Sequence, residues 1–185
     1  MKLKSIAAAL LLLVGVPAAS FAGDASFAPD SYSAEVGTGN STQIARVGAQ
    51  WKWGQNWRWW ESNGTHIGGY WDASYAYWRG NRFNNTDASQ HINDFGITPV
   101  FRFQRDSLTG PYAEAGVGAH YLDDLYSNAG RRLSTRFEFG DHIGFGYVFQ
   151  NKLDLGIRLQ HFSNGGIKEP NNGVNYAVLR VAYPF

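Results

Sequence analysis

His161 and Ser163 are the residues of this chain whose types and spacing suit a chemical step. They close the stretch Lys152–Ser163, which reads Lys-Leu-Asp-Leu-Gly-Ile-Arg-Leu-Gln-His-Phe-Ser. Side chains alternate between the two faces of a strand. One face then carries Leu153, Leu155, Ile157, Leu159, His161 and Ser163; the other carries Asp154, Gly156, Arg158, Gln160 and Phe162. The His and the Ser are neighbours on an apolar face, their Cβ atoms roughly 6–7 Å apart. A Ser Oγ reaches an imidazole nitrogen over that gap. A serine hydroxyl is a weak nucleophile until a base takes its proton, and this is the pairing that acyl transfer needs. His-x-Ser also arises by chance, and the plainer role is a polar pair hydrogen-bonding headgroups at a membrane interface. What the apolar face meets decides between the two.

The same two-residue alternation recurs in eight segments: 31–37, 42–53, 66–78, 94–104, 111–121, 135–149, 152–163 and 175–185. None shows a helical period. Polar or turn-forming stretches separate them. One face of each strand is almost wholly apolar or aromatic. The other places Arg46, Asp72, Arg102, Glu114, Arg136, Glu138, Asp154, Arg158 and Arg180 along the strands. Eight such strands close either as a soluble barrel with apolar residues inside or as a membrane barrel with apolar residues outside. The charges favour the second, because they can pair within a filled interior. So do Trp51 and Trp53, which end an apolar face as an interfacial girdle would. The last strand ends in Phe185, with Tyr183, Val181, Leu179 and Ala177 on its face. A terminal aromatic there resembles the signal that bacterial outer-membrane barrels present to their assembly machinery. The expected fold is all-β: an eight-stranded antiparallel transmembrane β-barrel of the bacterial outer membrane.

The ends agree. Lys2 and Lys4, the apolar run Ile6–Val16 and Ser20-Phe21-Ala22 read as a secretory signal peptide over residues 1–22, followed by a single barrel domain over 23–185. The apolar run is far short of the roughly 20 residues of a spanning helix. Without residues 1–22 the chain holds 14 basic and 15 acidic side chains, with no basic patch to suggest nucleic acid. It has no Cys, hence no disulfide framework and no thiolate metal site. No metal or other cofactor is implied. With both termini in the periplasm, strand seven runs outward. His161 and Ser163 then lie at its outer end and point at the outer leaflet, which is lipopolysaccharide.

The loop that follows, His161-Phe-Ser-Asn-Gly-Gly-Ile-Lys-Glu-Pro-Asn-Asn-Gly173, resembles the signature of PagL, the outer-membrane lipid A 3-O-deacylase family. The strand Gly69-Tyr-Trp-Asp-Ala-Ser-Tyr-Ala-Tyr-Trp78, the length, the leader and the terminal aromatic are similar to that family too. The resemblance implies an eight-stranded barrel with its site on the outer wall, where strand parity independently places the pair. It implies Ser163 as nucleophile and His161 as base. It implies an oxyanion hole built from the Gly166 backbone and the Asn171 side chain. Asn164 stands beside them as a further substrate-side candidate, with turn chemistry its plainer role, as it is for Asn172. The third triad position departs from the family's type member, where a Glu stands at the position of Asn175. Ser–His–Asn resembles the triad of outer-membrane phospholipase A. An amide fixes an imidazole's tautomer but cannot stabilise imidazolium as a carboxylate does. Asp141 is the rival orienter: a three-residue turn at 150–152 would pair 141 with 161. The implied partner is lipid A of lipopolysaccharide, reached laterally from the outer-membrane lipid; a homodimer is left open. The competing readings are another lipid-facing esterase or phospholipase, and a non-enzymatic structural barrel.

Overall fold

A computed structural model describes residues 27–54 and 58–184. The leader expected over 1–22 and the terminal Phe185 lie outside the described residues. Eight long strands form: β1 (Ser31–Gly39), β2 (Thr42–Lys52), β3 (Thr65–Gly80), β4 (Gln90–Arg105), β5 (Gly110–Leu122), β6 (Phe137–Val148), β7 (Asp154–Ser163) and β8 (Val174–Pro184). Each pairs antiparallel with its neighbours in the chain, and β8 pairs back onto β1, with Val36 opposite Leu179. Closure leaves no sheet edge, the condition for crossing hydrocarbon with strands.

The alternation places the charges inside. Arg46, Arg102, Arg158 and Arg180 are buried in one network with Glu35, Asp72, Glu114 and Asp154, four cations against four anions; Asp94 and Glu138 are buried outside it, bonded to His120 and Thr135. Arg158 donates to Glu114 Oε1 at 2.6 Å, Glu35 Oε1 at 2.7 Å and Tyr70 Oη at 2.8 Å. Arg102 bonds Glu114 and Asp154, Arg180 bonds Asp154, and Arg46 bonds Glu35 and Asp72. Buried charges are tolerable only when paired in this way. Outside, Ile143, Phe145, Ile157, Leu159 and Leu179 are all exposed. A soluble barrel would invert the arrangement. Rings gather at the end where β1 starts and β8 finishes: Trp51 packs on Phe27, Trp53 and Trp59 on Phe101, and Trp60 on Phe103. This is the girdle expected of Trp51 and Trp53.

Two details differ from the periodicity. Arg136 precedes β6 and is exposed, so it is not an interior charge. β4 begins at Gln90, earlier than its apolar alternation, because its first outward residues are polar. Tyr75 and Tyr77 take them up: Tyr75 Oη donates to Asn93 Oδ1 at 2.7 Å, and Tyr77 Oη bonds His91 Nδ1 at 2.5 Å.

Towards the outer end the interior becomes aromatic. Trp78, Phe162 and Tyr176 form its centre, with Ile92, Leu122 and Val174 around them. Tyr126 and Leu133 cover the cluster from the loop between β5 and β6. In the same loop Asn128 donates from Nδ2 to the carbonyls of Asn40 and Ser41, both at 3.2 Å, and accepts from Arg82 N at 2.6 Å. The outer half of the barrel is thus filled by this cluster, while a cavity of about 510 Å³ lined by Gln50, His66, Tyr70, Gln104 and Asp154 remains at the other end.

Candidate active site

Strand β7 ends with His161 outward, Phe162 inward and Ser163 outward. Phe162 is 1% exposed. Its ring stands edge-on to Trp78 at 4.6 Å, His120 at 5.0 Å and Tyr176 at 6.0 Å. That anchor fixes the backbone from which both outward side chains project.

The ladder brings the two candidate orienters to opposite sides of His161. Asp141 of β6 and Asn175 of β8 are its cross-strand partners. The turn at 150–152 sets this register, with Phe149 N donating to Leu153 O at 2.8 Å. Asn175 makes the contact: its Oδ1 lies 2.6 Å from His161 Nδ1. An amide oxygen only accepts, so Nδ1 carries the proton and Nε2 presents a lone pair. The Asp141 carboxylate makes no hydrogen bond among the described residues. Asn175 is itself held, its N–H donating to Asn40 Oδ1 at 2.7 Å. Gly39 lets the chains approach there, since a Cβ on it would stand 1.9 Å from the Asn175 carbonyl oxygen. Nothing in the periodicity pointed to Gly39 or Asn40; they matter because β1 closes onto β8. Ser163 sits opposite Phe139, and its hydroxyl makes no hydrogen bond among the described residues.

The loop after Ser163 is organised by Asn164, which is 0% exposed. Its N–H donates to Asn171 Oδ1 at 3.1 Å, its Nδ2 to the Lys168 carbonyl at 2.8 Å, and its Oδ1 accepts from Gly166 N at 3.0 Å. Asn164, a substrate-side candidate in the sequence, bonds from both ends of its amide within the loop. The same bonds define the two oxyanion candidates. The oxygen of Asn171 is taken, so its Nδ2 is the free donor. The Gly166 N–H is engaged by Asn164. Gly165 and Gly166 have φ of +65° and +81°, backbone that disfavours L side chains. Below the pair, towards the middle of the wall, lies a groove of about 820 Å³ flanked by Leu159, Ile157, Phe145 and Tyr77 and floored by Ala177 and Ala45.

Together these features define a class: a closed β-barrel with an apolar outer wall that carries a His–Ser pair near one end. Comparison with known proteins narrows it. A sequence model of the family described as lipid A 3-O-deacylase (PagL) matches residues 44–184. The chain is 36% identical over 166 residues to the lipid A deacylase PagL of Pseudomonas aeruginosa, spanning 89% of this chain and 92% of that one. It is 38% identical over 115 residues to the lipid A deacylase PagL of Bordetella bronchiseptica, spanning 61% and 59%. A crystal structure of the outer membrane enzyme PagL superposes with a TM-score of 0.72 at 31% identity, over 84% of this chain and 99% of that one. The chain belongs to the PagL family, and its barrel is an outer-membrane barrel.

Proposed function

We propose that this protein is a serine esterase that removes the ester-linked 3-hydroxyacyl chain from the 3-position of lipid A in the outer leaflet. Family membership supports the substrate. The observation that carries the mechanism is the His161–Asn175 bond, which leaves Nε2 as a base on the face that Ser163 shares.

Ser163 Oγ attacks the ester carbonyl carbon while His161 Nε2 takes its proton. The developing oxyanion is met by Asn171 Nδ2 and by the Gly166 N–H, which Asn164 and the substrate share as a three-centre donor. The bond from the carbonyl carbon to the glucosamine oxygen then breaks, and the imidazolium returns its proton to that oxygen. Water, deprotonated by the same imidazole, attacks the acyl-serine and releases the fatty acid. The departing chain lies along the apolar groove lined by Leu159 and Ala177, so substrate enters sideways from the leaflet and the barrel needs no internal pocket.

The test is expression of the wild type and of Ser163→Ala in a bacterium with unmodified lipid A, with both shown to be folded in the outer membrane. Lipid A mass spectra of the wild type alone should lose one 3-hydroxyacyl group. Loss in both moves the nucleophile elsewhere. Intact lipid A with hydrolysed phospholipid establishes a phospholipase instead.

A further inference from the structure

Between β5 and β6 the outer loop makes a short hairpin, Ser127–Asn128 against Arg131–Arg132. It docks on the end of the site loop. Arg131 Nη1 donates to the carbonyls of Asn172 at 2.8 Å and Gly173 at 3.3 Å. Arg132 N donates to Asn172 Oδ1 at 3.0 Å, and Asn172 N returns a bond to the Arg132 carbonyl at 3.0 Å. Ser134 Oγ donates to the Pro170 carbonyl at 2.8 Å. Arg131 thus spends its side chain on two backbone carbonyls, and it has no ion pair among the described residues.

Gly173 is where this grip reaches the chemistry. Its φ is +66°, and a Cβ added to it would stand 2.5 Å from His161 Cε1 and 3.2 Å from Nε2. The imidazole occupies the space that a side chain at 173 would fill. Asn175 holds the Nδ1 edge of the same ring.

We propose that Arg131 and Gly173 are positioning residues for His161: the hairpin clamps the Gly173 backbone against the imidazole, and this contact, with the Asn175 bond, holds Nε2 towards Ser163. The inference rests on the reading of His161 as the base. It makes the outer hairpin part of the working site although it touches neither reacting atom. Releasing the clamp lets the ring turn about its bond to Cβ, and misplacement of about 1 Å is enough to lower turnover roughly 100-fold.

The test uses Arg131→Gln, Arg131→Lys, Gly173→Ala and the double variant Arg131→Gln/Gly173→Ala. Each is assayed as the folded full chain on lipid A in detergent micelles, with Ser163→Ala and His161→Ala as references. Gly173→Ala should lower kcat about 100-fold and Arg131→Gln about tenfold, with KM within about twofold. Arg131→Lys, which still reaches one carbonyl, should recover part of the loss. The double variant should be no slower than Gly173→Ala, because both act through one contact. Additive losses overturn the proposal. So does a raised KM at unchanged kcat for Arg131→Gln, which would make Arg131 a headgroup contact. Wild-type rates in these variants beside inactive Ser163→Ala and His161→Ala overturn the positioning role alone. Activity in the two references would instead overturn the serine mechanism beneath it.

Discussion

Arg158 and His161 lie three residues apart on β7 and face opposite ways. Arg158 points inward and bonds three partners in a network of four cations and four anions. His161 points outward with one ring nitrogen bonded, beside a serine hydroxyl and an aspartate carboxylate that make no hydrogen bond among the described residues. One strand therefore carries a saturated face and an open one. The saturated face cannot react, since every charge is matched and enclosed. In the proposed mechanism the open face reacts because the closed interior fixes its backbone, and Phe162, between His161 and Ser163, belongs to that interior.

This contrast breaks most visibly at Ser163. Ser163→Ala removes a hydroxyl that supports nothing in the fold. Activity should fall by about 10⁴-fold or more. The urea midpoint of unfolding should stay in place, as expected for a half-buried site outside the packed network. Glu114→Gln should do the reverse. It deletes the carboxylate that Arg102, Arg158 and Tyr70 share and leaves both guanidinium groups short of a charged partner. A loss of about 3–5 kcal/mol is expected, read from urea titrations by the mobility shift between folded and unfolded barrel. Turnover per folded molecule should change little. If Ser163→Ala lowered the midpoint as far as Glu114→Gln, the division between the two faces would be false.

Asn171→Ala sharpens the open side. The Asn171 oxygen supports the loop through Asn164 N, while its nitrogen makes no hydrogen bond among the described residues. Loss of the oxyanion donor should lower kcat about 10²–10³-fold. Asn171→Asp keeps the oxygen that the loop needs and removes the donor, so it should be as slow as Asn171→Ala while preserving the loop. Equal activity of Asn171→Asp and wild type would remove Asn171 from the oxyanion hole and leave it as a turn residue.

The open face was more legible in the sequence than the reasons for its geometry. Parity alone sets His161 and Ser163 outward. The count across residues 150–152 places Asp141 opposite His161, as the ladder shows. Parity carries no information on who fills a hydrogen bond in a loop, and Asn164 looks the same as Asn171 until the chain is folded. Arg131 is distant in sequence from the glycine it holds, and it sits in a stretch without periodicity. The aromatic cap was hidden for another reason. Inward positions were recognised by their charges, whereas Trp78, Phe162 and Tyr176 are inward and apolar, so only position separates them from lipid-facing rings. Glu35 was missed among the interior charges because β1 offers few alternating positions around it, yet it bonds both Arg46 and Arg158.

The smallest effects are expected where the open face is itself divided, at the two neighbours of His161. Asn175 supplies orientation without charge, and Asp141 supplies charge without a bond. Asn175→Ala frees the ring to adopt either tautomer and should cost about tenfold in kcat, in the usual range for losing an aid to proton transfer. Asp141→Asn removes only a through-space stabilisation of the imidazolium. At a cross-strand separation in a half-wet site this is worth about 1 kcal/mol at most, so kcat should fall by a fewfold, and less at high salt. The pair Asn175→Glu with Asp141→Asn keeps one carboxylate at the site but moves it from the unbonded side of the ring to the bonded one. If orientation and charge are separate contributions, that double variant combines them in one group and should turn over faster than the wild type. A rate below both single variants would instead mean that the amide is matched to this site, and that Asp141 serves His161 in a way a carboxylate at 175 cannot replace.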